Sequence, residues 1–137
     1  GIHSNQVGFP GGQIDSEDQT PWDTAKRELW EELGISAKQV TQIREITPLY
    51  IPPSHFWVDC FLAYSNAKTE LNLDQNEVKE VISVSLSEFT NAKKSFTNEV
   101  EGMGIETPIY ILSDNTVWGA TAMMLAEIKS ILSQALN

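Results

Sequence analysis

Cysteine, histidine and basic side chains are scarce in this sequence. Its one cysteine, Cys60, rules out an intrachain disulfide and a cysteine metal cluster. Across 137 residues, nine Lys and Arg face nineteen Asp and Glu, a formal net charge of −10. The resulting pI near 4.5 argues against general binding to nucleic acid or to anionic membranes. At first sight it also argues against any polyanionic substrate. No apolar run approaches the roughly 20 residues that span a bilayer. Internal repeats and low-complexity tracts are missing too. What remains is an ordinary domain composition: 41% hydrophobic residues with four Trp can build a core, so the chain is not a disordered acidic tail. The length points to a single domain over residues 1–137. Cys60 lies in the apolar run Trp57-Val58-Asp59-Cys60-Phe61-Leu62 and is expected to pack in the core of a protein kept reduced, as in the cytoplasm.

Patterning along the chain predicts interleaved strands and helices. Ile2 to Gly12 reads as a short strand running into a Phe9-Pro10-Gly11-Gly12 loop. A helix is predicted next: Thr20 as N-cap, Pro21 at the first helical position, Asp23 completing an acidic capping box, and Gly34 as the stop. Trp22, Ala25, Leu29 and Leu33 recur at helical spacing and should form its buried face. Val40 to Tyr50 reads as one or two strands broken at Pro48, and Phe56 to Tyr64 as a central strand. Shorter strands are expected at Glu70–Leu73, at Val78–Val84 and at Thr107–Leu112, with a turn at Asp114-Asn115. Ser87-Glu88-Phe89 opens a short helix, and Ala120 to Ala135 should be an amphipathic closing helix. The irregular interleaving favours a mixed α/β fold, with a mixed sheet between helices.

The first helix carries Arg27-Glu28-Leu29-Trp30-Glu31-Glu32. Glu28 and Glu32 stand about 40° apart around the axis, one turn apart along it, with Glu31 beside them. Like charges at that spacing oppose helix formation, and the nearby helix C-terminus disfavours anions further. A divalent cation reverses both effects, and oxygen-only ligands suit Mg²⁺ or Mn²⁺. A solvated acidic face is the alternative reading of these acids taken alone. The Gly-Gly loop upstream and the adjacent Arg27 favour the metal.

Together these residues resemble the Nudix box, Gly-x5-Glu-x7-Arg-Glu-apolar-x-Glu-Glu-x-Gly-apolar. Arg27, Glu28, Leu29, Glu31, Glu32, Gly34 and Ile35 match its second half throughout. The first half departs: counting from Gly12, the acid is Asp18, and eight residues instead of seven separate it from Arg27. That lengthened loop resembles the coenzyme A diphosphatases of the superfamily. So do Phe9-Pro10-Gly11-Gly12, the run Thr24-Ala25-Lys26-Arg27-Glu28, the lead-in His3-Ser4-Asn5-Gln6-Val7, Tyr50-Ile51-Pro52-Pro53-Ser54, and Val117-Trp118-Gly119-Ala120-Thr121.

The resemblance implies an α/β/α sandwich around a mixed central sheet, with one strand expected before Gly1. It implies a cytoplasmic, metal-dependent hydrolase that cleaves the diphosphate of coenzyme A into 3′,5′-ADP and 4′-phosphopantetheine, or its acyl form. Glu28, Glu31, Glu32 and the Gly12 carbonyl are expected to hold Mg²⁺ or Mn²⁺. Arg27, Glu28 and Glu31 are expected in catalysis, with Arg27 orienting Glu31 or Asp18 and Asp18 steadying the loop. A general base is expected from outside the box, Glu77 or Glu80, which otherwise read as exposed loop acids. His3, Ser4, Phe9, Pro10, Gly11, Ser54 and His55 are candidates for substrate contact. Trp57 and Trp118 fit either adenine stacking or the core, and Lys93-Lys94 either a 3′-phosphate contact or a solvated helix end. A small-molecule substrate is expected, with no nucleic acid or membrane partner, and a homodimer is left open. Two alternatives stand beside this: a Nudix diphosphatase for another substrate such as ADP-ribose, and a non-catalytic ligand-binding domain.

Overall fold

Local signals decide the first helix in the computed structural model, which describes residues 6–52, 54–65, 70–97 and 107–136. Helix α1 spans Pro21–Leu33. The Thr20 hydroxyl accepts from the Asp23 amide and the Asp23 carboxylate accepts from the Thr20 amide, both at 3.1 Å. Gly34 closes the helix at φ 71°, a left-handed conformation that suits glycine, and donates to the Trp30 carbonyl. Two compact units make up the chain and are described in turn.

The first unit covers residues 9–81. After α1 come a short 3-10 turn, Ala37–Gln39, and an antiparallel hairpin of β1, Thr41–Ile51, and β2, Phe56–Tyr64. The predicted break at Pro48 is absorbed within one strand. A register shift between Ile46 and Leu49 takes Pro48, which has no N–H to donate, out of the regular ladder, and a second lies between Gln42 and Arg44. Trp22 of α1 meets Phe61 of β2, ring centroids 5.3 Å apart. Ile46 and Thr24 are the buried residues of this unit among those described. The expected face of Trp22, Ala25, Leu29 and Leu33 is half-buried.

The second unit holds residues 82–136 together with 6–8. Its elements are α2, Leu86–Asn91; β3, Ser95–Thr97; β4, Thr107–Leu112; β5, Asn115–Trp118; and α3, Gly119–Leu136. Strands β3, β4 and β5 form an antiparallel sheet in that order. Helix α3 packs on β4 and β5, and Phe89, Ile109, Tyr110, Leu112, Val117, Ala122 and Ile128 are buried. Thr121 donates to the Val7 carbonyl at 2.9 Å. Among the described residues, no helix is long and apolar enough to cross a membrane.

The mixed α/β class is the one expected, but several elements differ. No strand forms over residues 6–12, and Ile2–Asn5 lie outside the described residues. Strand β2 has one neighbour, β1, among the described residues and is not central. Trp57 is 69% exposed instead of core, and Cys60 is half-buried. Residues 70–73 form no strand, because the Asn72 amide is taken by the Leu33 carbonyl of α1. Residues 78–84 form none either: the Glu77 and Val78 amides turn back to the Asp74 carbonyl. Residues 81–85 keep the alternating exposure of a strand but have no ladder partner among the described residues. The hairpin turn falls one residue early, on Ser113 and Asp114 at φ 47° and 64°. Asn115 is held in the ladder opposite Leu112, with its amide group donating to the Ser113 carbonyl.

Candidate active site

Helix α1 places Arg27, Glu28, Glu31 and Glu32 over its last two turns, and Arg27 organises them. Its Nη2 donates to Asp18 Oδ2 at 2.9 Å and to the Gln13 carbonyl at 3.0 Å, and its Nε lies 3.2 Å from both Asp18 oxygens. Its Nη1 reaches Glu28 Oε1 at 3.1 Å and Glu31 Oε2 at 3.2 Å. Asp18, with a side chain 6% exposed, is further held by the Thr24 hydroxyl and the Asp15 amide, both at 2.9 Å. The Arg27 guanidinium and these donors push the Asp18 carboxyl down to about 2, and Asp18 raises the arginine in turn. Arg27 therefore contacts both Asp18 and Glu31, the two acids it is expected to orient. The loop from Gly12 to Asp18 is therefore pinned at its acidic end, although the acid is a carbon shorter than glutamate.

The Gly-Gly pair approaches the helix from the other side. The Gly11 amide donates to Glu32 Oε1 at 3.1 Å. Gly12 lies flat against Glu28: a Cβ there would stand 2.6 Å from the Glu28 carboxyl carbon, whereas a Cβ on Gly11 would meet open space. A side chain at Gly12, the position whose carbonyl is expected to face the metal, would therefore displace the Glu28 carboxyl. Burial, with the neighbouring Glu28 carboxyl and the charge of Glu77 adding to it, pushes the Glu32 carboxyl up to about 7; the Gly11 amide works against this.

Glu77 reaches this site by a route invisible to motif matching. The Asn72 and Asp74 amides donate to the Leu33 and Glu32 carbonyls, at 2.8 and 2.9 Å, and so cap the end of α1. A turn closed on Asp74 then brings round Glu77. Gly34 is the seat of this segment, since a Cβ there would lie 2.7 Å from Asn72 Cβ. Glu80 is exposed beyond the turn.

As they stand, no three acidic, histidine or cysteine side chains converge as a ligand group among the described residues. Arg27 Nη1 is shared between Glu31, which is half-exposed, and Glu28, which with Glu32 makes a carboxyl pair. That pair fits a hard divalent cation on chemical grounds. Two adjacent carboxyls and Glu77 supply only oxygen donors, and their mutual repulsion is what a cation relieves.

The other candidates divide. Phe9 and Pro10 are exposed on the loop leading to Gly11. Ser54 and His55 serve the β1–β2 turn: the Ser54 hydroxyl donates to the Ile51 carbonyl at 3.2 Å, and His55, at φ 59°, places Nδ1 3.2 Å from the Tyr50 hydroxyl. Trp57 lies against Tyr50, ring centroids 5.2 Å apart. Lys93 and Lys94 are exposed and Trp118 half-buried in the second unit. His3, Ser4 and Pro53 lie outside the described residues. Sequence reasoning gave no role to Thr24, Asn72 or Asp74. A threonine one turn before the box arginine was the available signal for the first; the others act through backbone amides, which leave no signature.

A profile described as the NUDIX domain matches residues 1–101. A probable nudix hydrolase of Schizosaccharomyces pombe is 28% identical over 124 residues, covering 90% of this chain and 44% of the relative. The uncharacterized Nudix hydrolase NudL of Pectobacterium atrosepticum is 28% identical over 128 residues, covering 92% and 66%. Its namesake in Yersinia pestis (strain Pestoides F) is 27% identical over 133 residues, covering 96% and 66%. The chain thus spans less than two thirds of the length of these relatives. With the box carboxylates on one helix, the arginine pinned to the loop acid and most of the chain matched, this protein belongs to the Nudix domain family.

Proposed function

We propose that this chain hydrolyses the diphosphate bond of coenzyme A or a derivative, in a divalent-metal-dependent reaction that gives 3′,5′-ADP and 4′-phosphopantetheine or its acyl form. The observation that carries the reading is the Arg27–Asp18 pair. It anchors a loop one residue longer than the general box, the lengthening that resembles the coenzyme A group, and Thr24 of the same group pattern donates to Asp18. We read the chain as one domain, since the family match runs through segments of both compact units.

Glu28, Glu31, Glu32 and the Gly12 carbonyl are the groups that would hold Mg²⁺ or Mn²⁺. Such an ion would supply charge neutralisation at the diphosphate and a more acidic water. Glu77, whose charge is felt at Glu32, is our candidate to accept the proton of the attacking water as the new P–O bond forms and the bridging P–O bond breaks. Arg27 has its donors spent on protein oxygens and orients Glu28 and Glu31 without touching substrate. The net charge of −10 repels an anionic substrate at long range, so turnover should depend on free metal more than on the few basic side chains. A lone cysteine suits a cytoplasmic setting.

The test is a substrate panel with Mg²⁺ and with Mn²⁺: coenzyme A, acyl forms, ADP-ribose, NADH and diadenosine polyphosphates, with products identified by mass. Preferential release of 4′-phosphopantetheine is the expected result. Equal or faster cleavage of ADP-ribose overturns the substrate assignment, and tight ligand binding without turnover on any of them overturns the enzymatic one.

A further inference from the structure

Asp74 commits its amide, its carbonyl and Oδ1 to one segment of chain. Its amide donates to the Glu32 carbonyl at 2.9 Å. Its carbonyl accepts from the Glu77 and Val78 amides at 3.0 and 2.8 Å. Its Oδ1 accepts from the Asn76 amide at 3.0 Å, closing an Asx turn. One residue therefore grips the end of the carboxylate helix with its own N–H, and with its oxygens bends the following chain through Asn76, Glu77 and Val78. The residue before it in this contact, Asn72, is seated on Gly34. The turn is otherwise exposed at Gln75, Asn76 and Glu77, so little packing fixes it.

We propose that Asp74 is the positioning residue for Glu77, a hinge pin that ties the placement of this carboxylate to the last turn of α1. This rests on the reading of the site as a diphosphatase with Glu77 as proton acceptor. The electrostatic influence of Glu77 on Glu32 agrees with the placement. A base offset by an ångström loses much of its effect, so a side chain that touches no substrate can still control turnover.

Asp74→Ala removes the Oδ1 acceptor and leaves the backbone bonds in place, whereas Asp74→Asn keeps an acceptor at the same position. The expected result is a fall in kcat of about tenfold for Asp74→Ala with KM nearly unchanged, and restoration by Asp74→Asn. In a Glu77→Gln background, Asp74→Ala should lower kcat no further, because both changes act on one group. Amide hydrogen exchange on the metal-free protein gives a readout apart from turnover. The Asn76, Glu77 and Val78 amides should lose protection in Asp74→Ala and keep it in Asp74→Asn, while α1 amides stay unchanged. Full activity of Asp74→Ala, an additive loss with Glu77→Gln, or an Asp74→Asn enzyme as impaired as the alanine variant overturns the proposal. So does full kcat in Glu77→Gln, which leaves the diphosphatase reading intact. A wild-type chain inactive on all diphosphates overturns that reading instead, and the exchange data still judge the hinge pin.

Discussion

The Arg27 guanidinium holds the Asp18 carboxylate from two sides, through Nη2 at 2.9 Å and Nε at 3.2 Å. The pair fastens the Gly12–Asp18 loop to the same helix that carries Glu28 and Glu32. Its acid is held at about 2, below its ordinary 3.8, so the folded state binds the proton less readily than the unfolded chain. That stability contribution is full above pH 3.8 and is lost as pH falls towards 2. Asp18→Asn should remove this acid-side dependence, read as a flatter loss of thermal stability between pH 4 and pH 2. It should also lower turnover by about tenfold at neutral pH, because the loop then loses its charged anchor.

Glu32 titrates in the opposite sense. Its folded value of about 7 lies above the ordinary 4.5, so the metal-free folded state holds the proton that the unfolded chain has already released. Stability should therefore fall as pH rises from 4.5 through 7 without metal. Added Mg²⁺ or Mn²⁺ should reverse the trend, and Glu32→Gln should abolish it. Calorimetric titration with Mn²⁺ at pH 6.5 in buffers of different ionisation heat should register proton release on binding.

Gly12 and Gly11 are neighbours with opposite tolerance. Gly12→Ala forces the Glu28 carboxyl aside, since its new Cβ would stand 2.6 Å from the carboxyl carbon. The side-chain end can move, so stability should change by no more than about 0.5 kcal/mol while Mn²⁺ affinity falls about tenfold or more. Gly11→Ala meets nothing within 4 Å and should bind Mn²⁺ like the parent. Similar Mn²⁺ affinities for the two variants would contradict this.

The box glutamates should separate in kinetics. Glu32→Gln should lower kcat by about a hundredfold or more, because it removes half of the carboxyl pair. Glu31→Gln should cost about tenfold, since its half-exposed side chain is bound to Arg27 in the metal-free protein. Steady-state assays over a range of free Mg²⁺ distinguish lost affinity from lost turnover; a Glu32→Gln enzyme with near-normal metal-dependent turnover refutes the assignment.

Helix α1 was legible to its caps because each determinant is local: Thr20, Pro21, Asp23 and Gly34 act within one turn of their own position. The pairing of Arg27 with Asp18 and Glu31 was expected only through the resemblance to the box, since Asp18 lies nine residues upstream and helical spacing does not place it. The strands expected at 70–73 and 78–84 do not form, because the Asn72 amide goes to α1 and the Val78 amide to Asp74, although the apolar residues are spaced as in a strand. Alternation reports exposure; pairing depends on which carbonyl lies opposite, and that is a tertiary fact. Likewise Trp57 is exposed on a strand that has one neighbour among the described residues, which no composition argument reveals.

The bonds from Asn72 and Asp74 to the last turn of α1 also bear on the order of assembly. Their partners lie about forty residues upstream, with the entire β1–β2 hairpin in between. Helix α1 has local signals enough to nucleate early, but its final carbonyls find their donors only after that hairpin has closed the loop. During refolding, helical signal should therefore appear before enzymatic competence, and a chain stalled before hairpin closure would display its box carboxylates without Glu77 beside them.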